Sequence, residues 1–380
     1  MLGFKHMKKK KVICAISGGI DSSVAAALLK KQGYDVIGVF MRFWYPEAPQ
    51  INADRNADLR RNENRCCSAE AQADARKVAA QLKIPFYTLN LEKEFKKRVV
   101  DYFIEEYKKG RTPNPCVECN RWIKFKFLME KALALKADYI ATGHYARIKF
   151  VNSKQVRYSL MTAKDKTKDQ SYFLWTLTQN QLKRILFPIG DYKKKEVRAM
   201  AKKWGLPVYE KRESQEICFL DTDLRGFLKS RIHAEKGPIV TTKGEKVGEH
   251  EGLAFYTIGQ RKGIKIGGIG PFYVVGKDFK KNTLIVAKSE QAPELYKKEM
   301  IVEKVNWISG KEPNFPLRCR VKIRYLHPAS LATITKIQDT KNKKQKYLVV
   351  FDKKQRAITP GQSAVFYRRN EVLGGGIIEE

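Results

Sequence analysis

Seven consecutive residues, Ser17-Gly18-Gly19-Ile20-Asp21-Ser22-Ser23, follow a short apolar run and open a helix-like segment. Glycines let a backbone approach phosphate oxygens closely, a helix N-terminus supplies unpaired N–H groups at its positive end, and serine hydroxyls add donors. Residues of these types in this order make an anion cradle, where a plain serine-glycine turn would need no such setting. A Walker A loop ends in Gly-Lys-Ser/Thr, and the lysine is missing here, which disfavours a kinase- or GTPase-like site. Asp21 suits a bare phosphate site poorly; a carboxylate there either binds magnesium or holds the loop's shape.

Seven cysteines offer a second chemistry, and an odd number in a chain of this kind is not a disulfide framework. Cys119 lies in a Pro-rich loop ahead of a basic helix-like segment, with Asn120 as candidate N-cap and Arg121 and Lys124 close by. A helix N-terminus and neighbouring cations lower a thiol pKa from about 8.5 and populate the thiolate. Cys119 therefore reads as a nucleophile or as a small buried hydrophobe. Cys218, between Ile217 and Phe219, reads on its own as a core residue, and Cys14 and Cys319 as packing within strand-like runs. Cys66 and Cys67 are adjacent and read as structural.

These residues need a scaffold. From 11 to 147 apolar runs alternate with helix-like segments: strands are predicted at 12–16, 36–41, 86–91 and 139–142, helices at 23–32, 68–82, 95–109 and 122–135, with Gly33 as a helix stop. The fold class is α/β, a parallel sheet flanked by helices. The glycine-serine loop, Met41 and Gly143 then fall at the C-terminal edge of the strands, where such sheets bind ligands, although by themselves Met41 reads as core and Gly143-His144 as an ordinary turn. Segment 44–65 is polar and aperiodic, a mobile loop or a substrate lid. Residues 164–203 are basic and helix-forming, and Gly205-Leu206-Pro207 punctuates the chain before 213–220. From 237 onward β-rich runs at 254–258, 272–275, 283–287, 317–326, 331–337, 347–351 and 364–367 predict one small barrel or two, with 339–346 as a hairpin tip. The expected organisation is a catalytic domain at 1–163, a helical module at 164–236 and a β-barrel region at 237–380.

Lys+Arg 75 against Asp+Glu 40 leaves +35 over 380 residues. Such a surplus points to a polyanionic partner, nucleic acid before membrane, because no basic amphipathic stretch or lipidation signal accompanies it. With 43% hydrophobic and 11% aromatic residues the composition is globular. No run approaches the ~18 apolar residues that would span a bilayer, and the lysine run near Met1 lacks the apolar segment of a signal peptide, so a cytoplasmic protein is expected.

Further segments accompany the loop: Cys66-Cys67-Ser68 with Asp74-Ala75-Arg76; Thr112-Pro113-Asn114-Pro115 through Cys119-Asn120 and Ile123-Lys124-Phe125; Ala141-Thr142-Gly143-His144-Tyr145; Lys168-Asp169-Gln170-Ser171-Tyr172-Phe173-Leu174; Glu216-Ile217-Cys218-Phe219; Thr257-Ile258-Gly259-Gln260-Arg261-Lys262-Gly263; and Thr359-Pro360-Gly361-Gln362. In these segments and their order, over nearly the whole chain, the sequence resembles the bacterial-type tRNA 2-thiouridylases (MnmA), members of the pyrophosphate-loop ATPase superfamily. The resemblance implies ATP and Mg2+ as cofactors, with ATP bound at Ala15, Ile16, Ser17, Gly18, Gly19, Ile20, Asp21, Ser22, Met41 and Gly143. It implies that Cys119 is the nucleophile and Cys218 the persulfide carrier, the two forming a disulfide as product leaves.

By the same resemblance Asn114, Pro115 and Cys116 meet the target base of the tRNA anticodon stem-loop, and Lys168, Asp169, Gln170, Arg324 and Tyr325 contact tRNA. Locally, each of the last two groups also reads as a solvated charged face, and Gly259 to Gly263 as a phosphate contact or a basic β-turn. The sulfur is expected from a persulfide-donating carrier protein or a cysteine desulfurase. One departure stands out: Cys116 occupies a position where many members place an aspartate, which puts the acid/base role of that position in doubt. Cys116 and Cys119 have metal-ligand spacing, and with Cys218 they offer the three thiolates with which some related enzymes hold a four-iron four-sulfur cluster; a spare thiol is the other reading. An amidating ligase acting on a small molecule and a non-catalytic tRNA binder compete with the sulfurtransferase; the charge and the cysteine pair argue against the first, the intact loop against the second.

Overall fold

A computed structural model describes residues 9–46, 68–152, 156–211, 217–220, 223–264, 266, 271–338 and 345–379. Of the expectations above, 47–65, Cys66, Cys67, Glu216 and the hairpin tip at 339–344 lie outside the described residues. The chain divides into two units, 1–98 with 116–221 and 99–115 with 222–380.

In the first unit the strands are β1 (Lys11–Ala15), β2 (Asp35–Arg42), β3 (Phe86–Asn90), β4 (Tyr139–Ala141), β5 (Ala146–Val151), β6 (Arg157–Thr162) and β7 (Ile185–Leu186). Five of them form an all-parallel sheet in the order β3-β2-β1-β4-β7, and β5 and β6 pair as an antiparallel hairpin. Val12, Ile13 and Cys14 are buried on both faces, as the unbroken apolar run requires. Burial pushes the Cys14 thiol up to about 12, which fits packing and not chemistry. Chain order steps outward through β2 and β3 and resumes on the other side with β4, so the sheet reverses direction between β1 and β4. That is the switch point at which open α/β sheets bind ligands.

Helix α1 (Ile20–Lys31) is buried on two sides. Ala26 and Leu29 pack with the sheet residues Val12, Cys14 and Phe40, whereas Val24, Ala25 and Leu28 pack on Val197 and Ala201 of the helix Lys194–Lys203. It ends as its sequence signals: Gly33 has φ +86°, its N–H bonds Lys30 O, and Tyr34 N–H bonds Leu29 O. Helix α2 (Ala69–Gln81) starts on Ser68, whose hydroxyl accepts from Ala71 N. The basic stretch 164–203 is helical only at Gln179–Leu182 and Lys194–Lys203, with a 3-10 turn at Ser171–Leu174. Asp169 accounts for part of that difference: its carboxylate accepts from Ala163 N and Ser171 N and holds the chain in a turn.

The second unit carries two β modules. Strands β8 (Gly237–Thr241), β9 (Lys246–His250), β10 (Tyr273–Asp278) and β11 (Thr283–Ala287) form a sheet in the order β10-β11-β8-β9. The run predicted as a strand at 254–258 is instead a 3-10 turn, Leu253–Phe255, entered through Gly252 at φ +134°. Strands β12 (Tyr296–Trp307), β13 (Leu317–Lys322), β14 (Ser330–Gln338), β15 (Gln345–Arg356), β16 (Ser363–Arg368) and β17 (Glu371–Ile378) run in the order β12-β15-β14-β13-β16-β17 and close through β12–β17. The barrel is filled by Trp307, Leu317, Val321, Ile334, Val349, Phe351 and Phe366. Cys319 lies in that core, its thiol pushed up to about 12 by burial. No helix among the described residues is long and apolar enough to cross a membrane.

Candidate active site

The loop between β1 and α1 is shaped by contacts that exclude side chains. Gly18 sits at φ +72°, and a Cβ there would stand 2.2 Å from Ala71 O of α2. A Cβ on Gly143, just past β4, would stand 2.6 Å from Ser22 N in the first turn of α1. Gly19 caps α1 with extended backbone and no side-chain hydrogen bond, so no side chain competes with an anion for the first N–H groups of the helix. The hydroxyls do less of the cradling than their number suggests. Ser22 Oγ donates to Gly19 O (3.1 Å) and accepts from Ser17 N (3.1 Å), and Ser23 Oγ donates to Gly19 O (2.8 Å). Ser17 is the exposed serine of the three. Ala15, Ile16 and Met41 are buried, Met41 near the end of β2 beside β1.

Asp21 resolves toward loop shape. Lys194 Nζ lies 2.7 Å and 2.8 Å from its two carboxylate oxygens, and Tyr145 OH donates to Oδ1 at 2.8 Å. Lys194 reaches it because α1 packs along the helix that Lys194 opens. Neither Tyr145 nor Lys194 carries a local signal for this role in the sequence; Lys194 is 173 positions from its partner. His144 is buried, and Thr142 Oγ1 lies 2.7 Å from its Nδ1. Burial first and the Lys124 charge second hold its pKa well below 6.5, so it is neutral at pH 7.

Cys119 is 7% exposed. The helix around it begins earlier than expected: Pro115–Glu118 forms the first turn, with proline where its missing N–H costs nothing, and Cys119–Phe127 continues as a π-helical stretch, a rare form that recurs at functional sites. Cys119 therefore lies one turn inside the helix, and Asn120 is not its N-cap. The Asn120 side chain is buried and donates to Phe173 O at 3.2 Å. Glu118, also buried, accepts from Trp122 Nε1 at 2.8 Å, and Arg98, Arg121 and Lys126 lie 4.5–4.9 Å from the Trp122 ring.

Cys218 is half-buried beside Phe219, which packs edge-on against Phe95 at 5.9 Å; Phe95 in turn stacks on Phe43 at 4.7 Å, just beyond β2. The cluster reading of the cysteines is not supported. Among the described residues no three His, Cys, Asp or Glu side chains gather as a metal-ligand set, so Cys116, Cys119 and Cys218 do not form one. The i, i+3 spacing of Cys116 and Cys119 lies on a helix that buries Cys119 and exposes Cys116.

The RNA candidates divide between the units: Cys116, Lys168, Asp169 and Gln170 in the first, Asn114, Pro115, Arg324 and Tyr325 in the second. Asp169 is buried, its oxygens taken by Ala163 N, Ser171 N and Ser171 Oγ (2.9 Å), so it shapes its loop. Gln170 Oε1 accepts from Tyr145 N at 3.0 Å, which ties this loop to the residue that holds Asp21. Arg324 is half-buried and donates to Ala357 O. Gln260 folds back on its own turn, accepting from Thr257 N and donating to Lys262 O, as in the β-turn reading.

Residues 10–222 match the family model described as tRNA methyl transferase HUP domain, 225–288 that of the tRNA methyl transferase PRC-barrel domain, and 297–378 that of the aminomethyltransferase beta-barrel domain. A tRNA-specific 2-thiouridylase MnmA from Symbiobacterium thermophilum is 47% identical over 374 residues, 97% of this chain and 92% of that protein. Proteins with the same description from Halothermothrix orenii and Clostridioides difficile are 48% and 47% identical, covering 97% and 98% of this chain and 99% and 98% of their own lengths.

Proposed function

The chain belongs to the tRNA-specific 2-thiouridylase family, and from that premise we propose that it is an ATP-dependent tRNA sulfurtransferase acting at position 2 of the wobble uridine. The observation that carries this reading is the cradle at the switch point between β1 and β4, in the same unit as Cys119 and Cys218, which lie outside the buried strands. The charge of +35 supports a polyanionic substrate.

A pyrimidine oxygen is a poor leaving group. Attack of O2 on the α-phosphate of ATP expels pyrophosphate and gives an adenylate from which AMP can depart. The cradle from Ala15 to Ser22 holds the phosphates with backbone N–H groups, Met41 lines the nucleotide's apolar side, and Gly143 admits α1 to its close approach. The terminal sulfur of a persulfide on Cys218 attacks carbon 2 and AMP leaves. The Cys119 thiolate then takes the inner sulfur, which leaves a thiocarbonyl on the RNA and a Cys119–Cys218 disulfide for a thiol reductant to reopen. A sulfur carrier protein or cysteine desulfurase reloads Cys218. Asp21 does not fit a carboxylate ligand for Mg2+, because Lys194 and Tyr145 occupy it.

Asn114, Pro115 and Cys116 form the platform for the base, which must be turned out of the anticodon stack. Lys168 and Gln170 in the first unit, on the loop that Asp169 fixes, and Arg324 and Tyr325 in the second are each tRNA contacts. The test is a reconstitution with anticodon stem-loop RNA, ATP and a persulfide donor: AMP, pyrophosphate and thiocarbonyl absorbance are expected, and ADP or RNA-independent turnover would count against the reading.

A further inference from the structure

The motifs Thr257-Ile258-Gly259-Gln260 and Thr359-Pro360-Gly361-Gln362 have no part in the chemistry above, yet both modules of the second unit use them to close on one residue. Thr112 N donates to Pro360 O at 2.8 Å, Thr112 O accepts from Gln362 Nε2 at 2.8 Å, and Thr112 Oγ1 lies 3.0 Å from Thr257 Oγ1. Every hydrogen-bonding group of Thr112 is thereby engaged. The approach is steric as well: Gly361 sits at φ +91°, and a Cβ there would stand 2.9 Å from Thr112 N and 3.0 Å from Arg111 Cβ.

The residues before it are held as firmly. Lys277 Nζ, from β10, donates to Gly110 O (2.7 Å) and Tyr256 O (2.6 Å), and the Phe279 ring lies where a Cβ on Gly110 would come within 1.9 Å. Arg111 pairs with Glu106 at 2.9 Å and reaches Glu303 (3.5 Å) and Ile378 O (3.3 Å), on the two strands that close the barrel. After Thr112 come Pro113, Asn114 and Pro115. Two prolines in three residues fix φ and remove N–H groups, so this stretch is stiff and carries the register of Thr112 directly into the helix that begins at Pro115 and contains Cys119.

We infer that the second unit is a mould for the thiol segment: it casts residues 110–115 so that the base platform and Cys119 are presented in one geometry, with Lys277, Gly361 and Thr257 as positioning residues for sulfur transfer. The inference rests on the reading of Cys119 as the thiol that takes the sulfur. It assigns the β modules a task in the chemistry separate from gripping RNA.

Lys277→Met, Gly361→Ala and the milder Thr257→Val test it through amide exchange, iodoacetamide labelling of Cys119 relative to exposed Cys116, and single-turnover thiolation. Exchange over 110–119 should rise about tenfold in the first two variants while β13 to β15 keep their protection, and the Cys119 labelling rate should change about threefold or more. Thiolation kcat should fall about tenfold, and about twofold for Thr257→Val, with KM for RNA within about twofold of wild type. Unchanged exchange and labelling in folded variants would overturn the inference, and so would a loss confined to KM, which is the mark of an RNA contact. Should the first two variants also lose barrel protection, Thr257→Val decides: faster exchange at 110–119 supports the mould, and wild-type exchange sinks it. Exchange and labelling need neither ATP nor a sulfur donor, so an error in the assigned reaction would leave these two readouts intact.

Discussion

The phosphate loop and the thiol segment are built on opposite plans. Most of the loop's hydrogen bonds close among near neighbours, with Ser17, Gly19, Ser22 and Ser23 bonding one another within five positions, while Gly18 packs against backbone of Ala71 and Gly143 against backbone of Asp21 and Ser22. The segment leading to Cys119 is set by partners 145 and 250 positions away. A site specified by its neighbours is legible in seven residues, whereas a site specified at long range shows only its reactive atom.

The largest effects should separate the two plans. Gly18→Ala places a methyl group against Ala71 O in a backbone region that disfavours a side chain; ATP binding and AMP release should both fall by about 100-fold or more, measured by nucleotide titration and pyrophosphate release. Cys119→Ser should leave RNA-dependent pyrophosphate release within a few-fold and cut thiolation by about 1,000-fold or more, read by mass spectrometry of the RNA. Near-normal adenylation by Gly18→Ala would break the local plan, and thiolation by Cys119→Ser would remove that thiol from the reaction.

Lys194→Met sharpens the contrast, because Lys194 is, with Tyr145, a distant group on which the loop leans. With the Lys194 and Asp21 side chains 11% and 31% exposed, removal of one partner should cost about 1–3 kcal/mol in denaturant unfolding and slow AMP formation. Lys194→Met together with Asp21→Asn should be less destabilised than Lys194→Met alone, since no unpaired charge remains. If the double variant is no more stable than the single one, the pair is not what shapes the loop.

These plans explain what the sequence disclosed. β1, β2 and β4 were legible because each is an apolar run buried on the sheet, and α2 because Ser68 announces it; β3 was placed as a buried strand too, yet it lies at the sheet edge with Tyr87 and Thr88 exposed. α1 begins at Ile20, three residues before its predicted start, since Gly19 caps it without a side chain. β12 and β17, the strands that close the barrel, were missed for physical reasons. β12 reads Tyr-Lys-Lys-Glu-Met-Ile-Val-Glu-Lys-Val-Asn-Trp, charged on its outer face and broken by a register shift between Lys297 and Glu299. β17 carries Gly374, Gly375 and Gly376, poor strand formers in isolation, but a Cβ at 374 would stand 2.3 Å from Asn306 O and one at 376 2.5 Å from Val302. Closure demands what local propensity penalises. In the same way Tyr145, Lys194 and Thr112 acquire their roles only when distant segments meet.

A smaller effect tests the long-range plan by pH. Burial depresses the Lys277 pKa from 10.5 to about 8. Between those values the unfolded chain holds a proton that the folded protein has released, so stability should climb across that window, by about 3 kcal/mol in all, and the cost of the buried charge is fully present below pH about 8. Lys277→Met should flatten that climb in denaturation midpoints taken from pH 7.5 to 10.5 in steps of about half a unit. A wild-type curve that falls or stays level relative to the variant over this range would show that the lysine is not buried against Gly110 and Tyr256.

The smallest expected effect concerns Cys116, which shares the segment of Cys119 and differs from it in being exposed. It is exposed, in the first turn of the helix whose later turn buries Cys119, and it joins no ligand set among the described residues. Cys116→Ser keeps size and polarity on an exposed face, where substitutions usually change stability by about 0.5 kcal/mol or less. Thiolation should stay within about threefold of wild type, with the same melting temperature, and anaerobically purified protein should contain no iron or acid-labile sulfide before or after the change. Loss of activity by orders of magnitude would mean that exposure and spacing suffice for a thiol to act here, and the contrast between the buried cysteine and the exposed one would fail three residues from where it is drawn.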